Sequence, residues 1–276
     1  HTGVSVGSVA SDALFLTHLG AANLAYVYFV LPVIMITVAA PLSYLTGKWG
    51  AHRIQFLSFF ALLGGGAVIT LVLILTGGES PHAQALYFGI KLYASLWSIL
   101  GFTVFWNFVD AYFDILSAKR LFPVLGGATT FGAMAGGWLV TVFMDSGWNV
   151  NMLFLIGGIT ALPAVLPVTA VCRAATQSRD SGEEDLSFSQ QMRQLGQAYR
   201  SSRYLVFLTL STFLIMIVMY FCEFQYMRIF NQRTVSDTAL AALFGRLFLM
   251  VNVFNTLFTL FVFNRMIFTL GVRNTS

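Results

Sequence analysis

The sequence predicts an all-α polytopic membrane protein, and three observations carry that expectation. Of 276 residues, 57% are hydrophobic and only 9% are charged. A water-soluble domain of that length cannot hide so much apolar surface. Charge-poor runs recur along the chain, each close to the roughly 20 residues a helix needs to cross a bilayer. Lysine and arginine also collect in alternate connections, as they do in cytoplasmic loops. Lipid is the solvent these features imply.

The first residues, "HTGVSVGSVASDALF", lack the basic start and apolar centre of a signal peptide. Residues 1–16 are expected to be the outer end of a helix whose beginning is missing, so that the chain is a fragment. Seven runs follow, at 22–46, 54–77, 84–109, 122–144, 149–172, 204–228 and 239–263. The 47–53 turn carries Lys48 and Arg53, "SAKR" at 117–120 is basic, and 173–203 holds five arginines. "GGESPHA" at 77–83 and "DSGWN" at 145–149 have no lysine or arginine. Only 229–238, with Arg233 and neighbouring Arg228, departs from the alternation. The 47–53, 117–120 and 173–203 connections are therefore assigned to the cytoplasm. The same bias accounts for the pI near 9.2 without a nucleic-acid partner. Cys172 and Cys222 fall at opposite ends of neighbouring helices and are not expected to pair.

Ionisable residues within a membrane are costly and become functional candidates by default. Lys91 lies about seven residues, or roughly 10 Å, inside its run from the external end. That depth makes it a candidate for facing an internal pathway. Glu223 and Arg246 fall at equal height on the last hairpin, where an ion pair is expected, either as a structural clamp or as a gate. Asn252, Asn255 and Thr259 share a polar face that either bonds a neighbouring helix or lines the pathway. Asn107, Asp110 and Asp114, spaced i, i+3, i+7, precede Lys119 and Arg120. They form either a solvated cytoplasmic network or an inner gate. Gly132 and Gly136 make a GxxxG pair with Gly137 beside it, a spacing that lets helix backbones approach closely.

In the linker, Phe188, Met192, Leu195 and Tyr199 form an apolar stripe expected to lie along the inner membrane surface. Classical enzyme chemistry finds little support: the histidines are scattered, no Cys/His pair has metal-ligand spacing, and no phosphate-cradling Gly-x-x-x-x-Gly-Lys occurs. No cofactor is expected.

The stretch "LSYLTGKWGAHR" (42–53), with Lys48, Gly50 and Arg53, resembles the signature between the second and third helices of the major facilitator superfamily. It departs from that signature where Gly47 replaces the aspartate and Ser43 the first glycine. "NRMIFTLGVR" at the end of the last run echoes it, with Gly271 and Arg273 standing as Gly50 and Arg53 do. "DALFLTHLGAANLAYVYFVLP" (12–32), "FWNFVDAYFDILSAKRLFPVLGGATTFGAMAGG" (105–137) and "TALAALFGRLFLMVNVFNTLFTLFVFNRMIFTLGV" (238–272) look like the ATP/ADP translocase branch. The resemblance implies helices 2 to 8 of a twelve-helix facilitator. Residues 1–172 would belong to one bundle and 204–276 to the start of a second, joined by 173–203.

It further implies a secondary transporter working by alternating access, in a bacterial cytoplasmic membrane, with the lipid bilayer and a small solute as its partners. Nucleotide exchange is the finer expectation. Transport of another solute and a transport-inactive scaffold are the alternatives. In that reading Lys48 and Arg53 join the cytoplasmic gate, and "GAMAGG" resembles an element of facilitator antiporters. A seven-helix receptor shares the predicted topology. Against it stand the absence of a lysine in the last run, the lack of an external cysteine pair, and the repeated motif.

Overall fold

A computed structural model describes residues 1–76, 83–113, 115–174, 188–233, 236–258 and 261. These residues form an all-α bundle with no strand among them. The helices are α1 (Thr2–Leu19), α2 (Leu24–Trp49), α3 (Ala51–Thr76), α4 (Ala83–Tyr112), α5 (Ile115–Asp145), α6 (Met152–Ile159), α7 (Val165–Ala174), α8 (Phe188–Ser201), α9 (Arg203–Arg233) and α10 (Asp237–Leu257). Among the described residues seven spans are long and apolar enough to cross a membrane, one for each run read from the sequence. The chain is an integral membrane protein.

Turns are set where the backbone demands it. Gly50 ends α2 at φ +86°, its N–H bonded to the Thr46 carbonyl, and α3 starts at the next residue. Only glycine enters that conformation without cost, so the sharp turn expected there depends on it. The fifth run is divided rather than continuous. Pro163 has no N–H to offer and its ring would clash with the preceding turn. Residues Leu162–Ala164 accordingly tighten into a 3-10 turn between α6 and α7. At the start of α10, the Ser236 hydroxyl accepts from the Ala239 N–H, and Asp237 places negative charge in the first turn.

Residues 2–19 are helical throughout, and α1 occupies the middle of the bundle against α4, α5, α6 and α10. Small residues make this possible. A methyl group at Gly136 of α5 would stand 2.8 Å from Ser5 Cβ and 2.9 Å from the Thr2 carbonyl oxygen. One at Gly157 of α6 would stand 2.7 Å from the Gly3 carbonyl oxygen. On the other side of α5, a methyl at Gly137 would meet the Gly245 carbonyl at 2.7 Å and Leu249 N at 2.8 Å. The GxxxG pair therefore packs α5 on α1, and the next glycine packs it on α10. Helix α8 covers the apolar stripe predicted at 188–199, and its Tyr199 hydroxyl lies 2.7 Å from Thr209 Oγ1 on α9.

The bundle has two ends: the Gly50 end, where α2 passes to α3, and the Gly147 end, where the chain leaves α5. Apart from its contact with α8, helix α9 packs on the other described helices near the Gly147 end. Residues 206–219 are exposed at every position, whereas Met227 is buried in the core with Phe224 and Phe230 packed around it.

Candidate functional site

Three helices bring charge together inside the Gly147 half. Lys91 projects from the third turn of α4 and is almost fully buried, its side chain 8% exposed. Its ammonium donates to Asp12 Oδ1 of α1 in a direct ion pair. Glu223 of α9 places Oε1 3.8 Å from the same ammonium, within ion-pair range but beyond hydrogen-bond length. The Asp12 and Glu223 side chains are 17% and 26% exposed, so the cluster is largely shielded.

Tyrosines surround it. Tyr28 of α2 has its buried hydroxyl beside the Glu223 carboxylate, and its ring packs on Tyr220 at 4.7 Å between centroids. Tyr226, one turn beyond Glu223 on α9, feels both carboxylates. Closer to the Gly147 end, Tyr87 of α4 stacks on His18 of α1 at 3.9 Å, and the His18 Nδ1 lies 2.9 Å from the Leu14 carbonyl oxygen. The cluster carries two carboxylates and one ammonium. It can hold a cation or a proton in its own plane of charge, but it offers no free positive group to an anion.

The expected pair of Glu223 with Arg246 does not form. Arg246 Nη2 donates instead to Asp145 Oδ1 at 2.8 Å, from side chains 58% and 51% exposed, while Glu223 turns to Lys91. The reason is packing: α10 lies antiparallel along α5 through Gly137 and Gly245, which carries Arg246 to the end of α5. Equal height on a hairpin does not make two residues neighbours when the two helices face different partners. The Arg246 pair lines an open depression with Met144, Thr238 and Leu243 at the Gly147 end.

Other expectations divide. Asn252 bonds back to the Phe248 carbonyl of its own helix at 2.7 Å, and Asn255 is exposed. On that stretch of α10 the polar contact to α5 comes instead from buried Thr256, whose hydroxyl lies 3.5 Å from Met134 Sδ. Asn107 and Asp110 are exposed at the Gly50 end of α4. Asp114, Thr259 and the side chains of Lys119 and Arg120 lie outside the described residues, as does the motif echo at 264–273. Lys48 and Arg53 are exposed, with Lys48 Nζ 6.0 Å from the centre of the Tyr44 ring. Both cysteines are unpaired.

Sequence reasoning singled out Lys91 and Glu223 but missed Asp12, and it took Asp145 as part of a loop. An acidic residue inside "SVASDALFL" is the signal for Asp12, once residues 2–19 are read as a bundle helix. These features define a polytopic integral membrane protein with an ionised cluster between its helices. Comparison with known protein families, with curated proteins and with solved structures finds no match for this chain.

Proposed function

We propose that this protein is a secondary membrane transporter that works by alternating access. The observation that carries the reading is the Asp12–Lys91–Glu223 cluster, drawn from α1, α4 and α9. Ionisable groups inside a membrane are retained where they serve a pathway, because an unpaired charge there costs several kcal/mol. Here they also join the helices before the 173–203 linker to the first helix after it. The facilitator signature around Gly50 supports the same reading. By the distribution of lysine and arginine the Gly147 end is external, and the translocase resemblance suggests a bacterial cytoplasmic membrane. A cysteine placed at Ser146 should react with an impermeant thiol reagent from outside and one at Lys48 should not, and the reverse pattern would reject this orientation.

The cargo is a small solute. Nucleotide exchange, suggested by the translocase resemblance, is disfavoured by the charges: a triphosphate needs cations, and Lys91 and Arg246 are both held by carboxylates. A neutral or cationic solute suits the cluster better. Uptake into proteoliposomes carrying this protein, with labelled ATP and ADP beside panels of neutral and cationic metabolites, tests both points. Exchange of ATP for ADP would restore the nucleotide reading, and no uptake of any solute would favour a transport-inactive scaffold.

A further inference from the structure

Lys91 is held unequally by its two carboxylates, and the inequality assigns them different tasks. Asp12 takes a direct hydrogen bond from the ammonium; Glu223 stands off at 3.8 Å and is the more exposed of the two. Asp12 and Lys91 lie on α1 and α4, which belong to the same packed core. Glu223 lies on α9, whose residues 206–219 are exposed, with the Thr209 hydroxyl meeting Tyr199 of α8, and whose hold on the core helices begins at Tyr220. It therefore sits at the inner edge of the clasp that fastens α9 at the Gly147 end.

The groups facing Glu223 are Lys91 from α4, Asp12 from α1, Tyr28 from α2, and Tyr220 and Tyr226 from its own helix. With both carboxylates ionised the cluster carries one net negative charge, and a single proton makes it neutral. The buried Tyr28 hydroxyl makes no hydrogen bond among the described residues and suits either state, since a phenol can donate to a carboxylate or accept from a carboxylic acid. A proton needs no cavity of its own, whereas a metal cation needs a shell of several oxygens.

We infer that Glu223 is the carrier of a coupled proton, an assignment that rests on the transporter reading and deepens it. The proton adds to a carboxylate oxygen of Glu223 and cancels its charge. The attraction to Lys91 is lost, Lys91 stays with Asp12, and α9 is released from α4 so that the Gly147 end can open. Deprotonation restores the attraction and closes it. Proton movement and exposure of the pathway are linked through one side chain.

The test uses spin labels on cysteines replacing exposed Gln84 on α4 and Gln232 on α9, with Cys172 and Cys222 changed to serine, in the full chain reconstituted in lipid. Electron–electron distances are then read as pH falls from about 8 to about 5. For a one-proton step the ratio of long to short distances should rise by up to ~tenfold per pH unit. Glu223→Gln, which mimics the protonated state, should give the long distance throughout with no pH response.

Infrared difference spectra provide a reading that simple loosening would not move: acidification should add a protonated-carboxyl band that Glu223→Gln abolishes. A pH response or carboxyl band that survives Glu223→Gln would overturn the assignment. So would no response in the otherwise native protein, or the same opening produced by sodium at constant pH. None of these measurements requires a cargo, so failure to find uptake would count against the transporter reading without deciding this one.

Discussion

Helices α1 and α9 invert the rule that governs water-soluble proteins. The less apolar of the two in appearance, α1, carries serines, glycines and an aspartate along "GVSVGSVASD", yet more than half of its residues are buried against four neighbouring helices. By contrast α9 contains the span of highest mean hydropathy, shared with α3 at 2.4, and none of its most apolar window is buried. In lipid, leaving the solvent gains an apolar side chain nothing, so helices meet through small residues that allow close approach and through polar groups that need partners. Large apolar side chains such as Phe213, Ile215 and Met219 are left to face the acyl chains.

The sharpest way to break this contrast is at the charge that α1 shares with α9. Lys91→Met leaves Asp12 and Glu223 facing one another without a counter-ion, and should lower stability by about 3–5 kcal/mol, read as a fall in thermal midpoint in detergent. Adding Asp12→Asn should recover part of that loss. Strictly additive losses would show that the two side chains do not interact.

Gly157→Leu comes next. Its first carbon already meets the Gly3 carbonyl oxygen, which belongs to the backbone and cannot turn aside, so overpacking should cost about 3 kcal/mol or more. Recovery of well-folded, monodisperse protein at the usual yield would refute the close α1–α6 contact.

A smaller effect is expected at Asp145→Asn. The Asp145–Arg246 pair is more than half exposed on both sides, and such pairs contribute about 0–1 kcal/mol. A larger loss would mean that this pair, rather than the Lys91 cluster, holds the Gly147 end.

Least of all should follow from Phe213→Leu on α9, where the ring is 59% exposed and both residues are equally at home in lipid. A change within ~0.5 kcal/mol is expected from thermal unfolding in detergent. A marked loss would reveal that α9 packs against a protein surface there.

How far the amino-acid sequence determined the molecule differs between these levels. Length and composition of each run fixed the seven spans, because crossing a bilayer with every backbone group hydrogen-bonded leaves few structures besides a long apolar helix. Gly50 marked a turn through local chemistry that requires no distant partner, whereas the Ser236 cap was read only from the structure. Pro163, by contrast, divides a run that hydropathy alone reads as continuous. Lys91 was legible as an anomaly of charge and depth. Its partners were not: Asp12 is 79 positions away and belongs to a segment whose hydropathy does not advertise a span. Glu223 was visible but matched with the wrong cation, since spacing along a hairpin gives height in the membrane and says nothing of rotation about each helix axis. Rotation is set by which small residues interlock, Gly136 with Ser5 and Gly137 with Gly245, and only the packed bundle decides that.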